Sequence, residues 1–224
     1  MSLMDFAPSW SKNEFVHFSA NERADAIDGV EKQYCESHPE VLKKLKSYDN
    51  YYLAGLSSII SFFKLNSDIV THLTLVFPKV TYMFKNLKAF VICDVDFNNN
   101  KLHEGPMTEY LITWAKKSYP SMNLKDRKNL FDMLLSKLKD HSPDTYKIVT
   151  KNDFEFVGFG AMMVYHCKID GPMFFHPSGE PALIFKNKEL GILMVCHYEM
   201  THNKFYKGTE VLNNIMQSPG GFLY

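Results

Sequence analysis

Arginine is scarce in this chain: Arg23 and Arg127 are its only two arginines, so 23 of the 25 Lys and Arg residues are lysine. Asp and Glu also total 25, which leaves a formal net charge of zero at pH 7. Proteins that bind nucleic acids or anionic membranes usually carry a basic excess, and guanidinium groups commonly bind phosphate and guanine. The composition therefore predicts no nucleic-acid partner and no membrane partner.

Cysteine is also sparse, and its four residues, Cys35, Cys93, Cys167 and Cys196, are far apart. None of them forms the closely spaced pair of a zinc or redox motif, and their density is too low for a disulfide scaffold. The longest nearly uncharged stretch, 51–63, is shorter than the roughly 20 residues that span a bilayer. We therefore expect four free thiols, no cofactor, and a soluble protein in a reducing, cytoplasmic environment.

Glycine-rich phosphate-binding and catalytic motifs are missing from the sequence. It contains neither a P-loop nor a G-x-S-x-G nucleophile elbow. Gly158-Phe159-Gly160 lacks the third glycine of a dinucleotide site and the strand-to-helix context. We interpret these two glycines as a bulge or a close strand approach.

The first two-thirds of the chain has mainly the apolar spacing of helices. A helix is predicted from Asn21, as its N-cap, to Glu36, and Pro39 suits the start of a second helix whose apolar spacing continues over 41–63. A third helix is expected to begin at residue 66 or 67 and to end before Pro78. The sequence therefore predicts a helical N-terminal layer.

A β-rich run, 89–93, is followed by the polar segment 94–100, which imitates the start of a calcium loop. An EF-hand loop requires Gly at its sixth position and a bidentate Glu at its twelfth, and both are missing here. A hairpin with a polar tip is therefore favoured. Two more helices are predicted at 107–118 and at 124–139, the latter capped by Asn123.

The pattern changes to strands and tight turns after residue 143. The predicted strands lie at 154–169, 173–176, 181–186 and 190–199. Consecutive strands with short turns usually pair with one another, which predicts an antiparallel β-meander. The expected fold class is α+β, with the helical N-terminal layer packed on one face of the C-terminal antiparallel meander.

We expect one domain over residues 4–224. Its parts are a helical part at about 19–140, a strand-rich part at about 146–207 and a short C-terminal helix at about 209–217. The reason is that the sequence shows no internal repeat and no flexible linker between these parts.

The predicted turns also determine which side chains share a face of the meander. The core face carries Tyr165, Cys167, Ile169, Phe174, Leu183, Phe185, Ile192, Met194 and Cys196. The other, more polar face carries His166, Lys168, Phe175, Lys186, Val195, His197 and Glu199. In this arrangement the thiols on the core face are buried and unreactive, and the histidines are solvated.

The string 197–202, His-Tyr-Glu-Met-Thr-His, contains the residue types of a metalloprotease motif. That motif places two histidines at i and i+4, so that both reach one metal. Here His197 and His202 are five residues apart, and on a strand only His197 and Glu199 share a face. His166 shares that face but lies three strand positions away, or about 14 Å. The candidate metal ligands are therefore His166, His197, Glu199 and His202, and the candidate catalytic residues are His197 and Glu199. Because of their spacing, we expect no bound metal.

Three function classes remain open from the sequence alone. The favoured one is a non-catalytic binding or regulatory protein that acts by protein–protein contact, of the viral, phage or immunity type. The apolar residues on the more polar sheet face favour a partner that covers them: Met162, Val164, Met173 and Phe175. The second is a metal-assisted hydrolase that uses His197 and Glu199. The third is small-ligand binding in a curled antiparallel sheet, and the sequence indicates no oligomeric state.

Overall fold

A computed structural model describes residues 19–63, 70–74, 79–84, 86–97, 123–151, 153–167, 171–176, 182–196 and 204–206. Within these ranges the chain forms helices and antiparallel strands, which confirms the α+β fold class. The helices are α1 (Ala20–Ser37), α2 (Pro39–Tyr48), α3 (Leu124–His141) and α4 (Pro143–Val149). None of these described helices combines the length and the apolar character that crossing a bilayer requires.

Each helix begins at a residue that suits a helix N-terminus. The Ser19 hydroxyl accepts the Glu22 backbone N–H at 3.3 Å, and the Glu22 carboxylate accepts the Ser19 backbone N–H at 2.8 Å. This reciprocal cap satisfies two backbone donors of α1. Asn123 caps α3 in the predicted way, by accepting a backbone N–H at 3.0 Å. Pro39 and Pro143 begin α2 and α4, where a missing N–H has no cost.

The strands form one antiparallel sheet. Their bounds are β1 (Tyr52–Phe63), β2 (Val70–Thr74), β3 (Val80–Phe84), β4 (Ala89–Ile92), β5 (Glu155–Cys167), β6 (Gly171–His176), β7 (Ala182–Asn187), β8 (Ile192–Cys196) and β9 (Lys204–Tyr206). The strand order is β2-β1-β3-β4-β8-β7-β5-β6-β9, with an additional pairing of β1 with β5. The first and second halves of the chain therefore contribute to the same sheet.

The two longest strands curl the sheet into a ring. The first residues of β1 pair with β3, and its residues 55–63 pair with residues 159–167 of β5. The first residues of β5 pair with β7 on its other edge. Following the pairs from β1 through β3, β4, β8, β7 and β5 therefore returns to β1. The hairpin strand β2 and the pair β6–β9 extend the sheet beyond this ring.

One face of the ring packs against the helices. Tyr82, Val91, Met194 and Phe185, on four adjacent strands, belong to the same buried cluster as apolar residues from all four helices. The helix residues of this cluster are Ile27, Val30, Tyr34, Val41, Leu45, Leu134, Leu138 and Val149. The helical layer therefore covers one side of the sheet and forms the main core with it.

The opposite face of the ring is buried as well. A second cluster contains Phe90, Ile92, Ile184, Leu193 and Val195, each with at most 1% of its surface exposed. The strands β7 and β8 are consequently apolar on nearly every residue rather than on alternate residues. A strand that is buried on both faces is expected to have such a continuous apolar run.

The structure corrects the predicted helices over 41–63 and after residue 66. The chain leaves α2 at Asp49, whose backbone is extended, and continues as β1, while 70–74 forms β2. Short apolar runs match helices and buried strands alike by spacing, and 51–63 is rich in aromatic and β-branched residues that favour strands. The predicted helices at 107–118 and 209–217 lie outside the described residues.

The strand order and register also differ from a simple meander. The strand β7 pairs with β5 and β8 rather than with β6, so β5 to β8 do not follow one another in the sheet. The β7–β8 turn is longer than predicted because Gly191, at φ 59°, completes it, and Phe185 therefore pairs with Met194 instead of Leu190. A shift of four residues preserves the face of each side chain. The predicted core positions of Leu183, Phe185, Ile192, Met194 and Cys196 are therefore confirmed.

Candidate functional site

The residues proposed for metal-assisted hydrolysis are mostly beyond the described part of the chain. His197, Glu199 and His202 lie outside the described residues, and His166 is described only by its backbone position in β5. The hypothesis of a metal-assisted hydrolase and the opposing prediction of no bound metal at these residues therefore both stay predictions.

The observed strand order and register change the expected separation between His166 and the end of β8. Only β7 lies between β5 and β8, with Cys196 opposite Leu183 and Leu183 opposite Phe159. His166 follows Phe159 by seven residues, which is about 23 Å along the strand at about 3.3 Å per residue. The backbone of His166 is thus far from the row of Cys196 in the sheet.

The calcium-like segment makes a structural contact at its first residue. The Lys79 ammonium lies 3.2 Å from a carboxylate oxygen of Asp94 and also donates to the Asp94 carbonyl. Asp94 adopts φ 58°, and the next N–H, from Val95, donates to the Gly191 carbonyl at 2.8 Å. This corner joins the end of β4 to the β7–β8 turn. Among the described residues, no group of three or more His, Cys, Asp or Glu side chains could hold a metal ion.

The described cysteines are free thiols in protected positions. Cys93 and Cys196 are buried, which confirms the prediction for Cys196, whereas the side chain of Cys167 is not among those described. Burial raises the pKa of Cys93 to about 12 and the pKa of Cys196 far above its usual value. Cys35 is partly buried, and burial raises its pKa as well. Since the thiolate is the reactive form, these environments favour packing rather than catalysis.

A groove of about 350 Å³ lies between α2 and α4. Its walls come from the last residues of α2, from α4, and from the turn that follows α4 and includes Lys151, Asp153 and Phe154. Its volume falls within the usual range of binding clefts. We therefore treat it as the candidate functional site.

The turn between β3 and β4 positions both walls of the groove. The Asn86 side-chain amide donates to an Asp49 carboxylate oxygen at 3.3 Å, directly after α2. The Thr145 hydroxyl of α4 donates to the carbonyl of Leu87, and both of these residues are buried. Because the two anchors are adjacent residues of one turn, the sheet holds the helices at a defined separation. Both walls of the groove are thus tied to the same turn.

Lysine and aspartate side chains line the rim of the groove. The Lys147 ammonium lies 3.2 Å from an Asp144 carboxylate oxygen, and both side chains are exposed. The Lys44 ammonium lies 5.6 Å from the centroid of the Tyr48 ring, within cation–π range. Lys151 follows α4, where the last helical carbonyls favour a cation. Among the described carboxylates, none lies within ion-pair distance of Lys44 or Lys151.

The floor of the groove is more apolar than its rim. Ile148 and Phe154 are partly buried and pack on the main core. Tyr48 is also partly buried, and burial together with the nearby Asp153 carboxylate raises the pKa of its hydroxyl. The Tyr48 hydroxyl therefore stays neutral at physiological pH and is available as a hydrogen-bond donor. The arrangement can receive an apolar group at its floor and anionic groups at its rim.

Sequence reasoning did not identify this groove. Its two walls are far apart in the chain, and lysines on exposed helical turns have the pattern of ordinary solvated surface. The available signal was the group Lys43, Lys44 and Lys46 near the end of α2. That group does not reveal which other helix faces it.

Comparisons of the chain with protein-family models, with curated protein sequences and with solved structures find no match. No activity or partner is therefore carried over from a relative. The role of the groove has to be inferred from its own geometry and charges.

Proposed function

We propose that this chain is a non-catalytic binding protein that contacts another protein through the groove between α2 and α4. The observation that carries the proposal is the combination of an apolar floor, Ile148 and Phe154, with the ammonium groups of Lys44 and Lys151, which have no carboxylate partner among the described residues. An apolar centre surrounded by polar groups is the usual anatomy of a protein interface. An ammonium group without an internal ion pair can bind a partner's carboxylate without first breaking such a pair.

The chemistry of the lining favours binding over catalysis. The described lining residues include neither histidine nor cysteine, the side chains that most often serve as base and nucleophile. The hydroxyl of Ser47 donates to the Lys44 carbonyl at 2.6 Å, so it is engaged with its own helix. The remaining groups offer charge, a phenol donor and apolar surface, which together suit recognition.

A photo-crosslinking amino acid placed at Ser47 tests this proposal in cells that produce the protein. Ser47 is exposed and lines the groove, whereas Ser136 is exposed on α3 away from it and provides a matched control position. We expect irradiation to yield a discrete protein adduct at Ser47 and none at Ser136, as measured by denaturing electrophoresis and mass spectrometry. No adduct at Ser47, or the same adducts at both positions, would contradict the proposal.

Small-ligand binding inside the curled sheet is a second candidate. The pairing of β1 with β5 closes six strands into a ring whose second face, including Phe90 and Ile184, is apolar and buried. An apolar ligand would lie among these side chains, in a ring narrower than the roughly eight-stranded barrels that hold one small ligand. Comparison of the native and denatured masses of the purified chain tests this candidate: a bound ligand gives a discrete excess mass that denaturation removes. Equal masses would contradict it.

A further inference from the structure

The charges at the rim of the groove indicate what kind of protein segment it accepts. The ammonium of Lys147 is neutralised by Asp144, and both side chains are more than two-thirds exposed, at 69% and 76%. An exposed pair of this kind is weak, and its two charges cancel at the rim. Lys44 and Lys151, in contrast, have no carboxylate partner among the described residues. They are therefore the two cations of the groove that are available to a ligand.

The geometry points to an acidic segment of another protein as the occupant of the groove. Two Asp or Glu side chains of the segment pair with Lys44 and Lys151, and an apolar side chain between them packs on Ile148 and Phe154. This inference rests on the proposed protein-binding function and specifies the chemistry of the partner.

The aspartates of the groove favour a peptide over a nucleic acid. A nucleic-acid strand carries a phosphate on every nucleotide, so some phosphates would lie against Asp144 or Asp153 and be repelled. The described lining also contains no arginine, the side chain that binds phosphate in a bidentate manner. A segment with a few separated carboxylates avoids the aspartates and still reaches Lys44 and Lys151.

The test uses the purified full chain and a fluorescein-labelled peptide, Gly-Glu-Gly-Phe-Gly-Asp-Gly, with binding measured by fluorescence anisotropy. The groove variant combines Lys44→Glu with Lys151→Glu. The control variant combines Lys43→Glu with Lys46→Glu, which makes the same charge change at exposed positions of α2 outside the groove. We expect binding to weaken about tenfold or more in the groove variant and less than about twofold in the control. The same peptide with Lys in place of Glu and Asp is expected not to bind.

Each other result would overturn the inference. An acidic peptide that does not bind, or that binds the groove variant as well as the original chain, would exclude the acidic segment. Equal loss in both variants would indicate general charge attraction, and tighter binding of a single-stranded oligonucleotide of the same charge would favour nucleic acid. The crosslink at Ser47 distinguishes a failure of the acidic-segment inference from a failure of the proposed protein-binding function. If the adduct at Ser47 persists in the Lys44→Glu, Lys151→Glu variant, the proposed protein-binding function stands. Only the inference of an acidic partner is then wrong.

Discussion

Val195 lies in β8 on the sheet face opposite the helices, with 1% of its surface exposed. It pairs with Phe90 of β4 and with Ile184 of β7, and both of these side chains are also buried. Val195→Thr keeps the shape of the side chain but replaces a methyl group by a hydroxyl among apolar neighbours. Burying a hydroxyl without a partner costs about 1–3 kcal/mol. We therefore expect this variant to lose about 2 kcal/mol of unfolding free energy.

Urea unfolding followed by circular dichroism measures this loss, and a thermal scan should show a midpoint lower by about 4–8 °C for a chain of this size. Lys188→Thr is the matched control, because it introduces the same threonine side chain at an exposed position, in the turn after β7. The control is expected to change stability by less than about 0.5 kcal/mol. A Val195→Thr variant as stable as the control would refute the conclusion that this sheet face is buried.

Three further predictions follow from the fold. Thr145→Val removes the hydroxyl that donates to the buried Leu87 carbonyl, and we expect a loss of about 1–3 kcal/mol in urea unfolding; unchanged stability would argue against this anchor. Burial raises the pKa of Cys93 to about 12, so the native state keeps a proton that the unfolded chain releases above about pH 8.5. The unfolding free energy should therefore fall as pH rises from about 8.5 to 12, and Cys93→Ala should reduce that slope; equal slopes would contradict the assignment. Finally, because β4 pairs with β8 and β1 with β5, limited proteolysis is expected to release no stable fragment ending near Pro143, and such a fragment would indicate two domains.

Local sequence signals were sufficient to predict the elements in which the apolar spacing and the residues at the ends indicate the same structure. The helix predicted at 124–139 is observed at 124–141 with Asn123 as its cap, and Pro39 begins α2 as expected. The strand predicted at 89–93 is observed at 89–92. These elements were predictable because caps, proline and apolar spacing act within a few residues of the chain.

Segment 51–63 shows where local signals were insufficient. Its apolar spacing continues that of α2, yet it forms β1, which pairs with β3 and with the distant strand β5. A buried strand can have apolar residues on both faces, and spacing alone does not distinguish it from a buried helix. The partner strands decide the outcome, and they lie far away in the sequence.

The sequence by itself determined the α+β class, the start of α2, the start of α3 and the set of core residues that include Leu183 and Phe185. Only the tertiary structure decided the closure of the sheet, the burial of Val195 and the opposition of α2 and α4 across the groove. Helix ends depend on contacts between near neighbours in the chain. Strand order and the spacing of two anchored helices depend instead on pairings between residues that only the folded chain brings together.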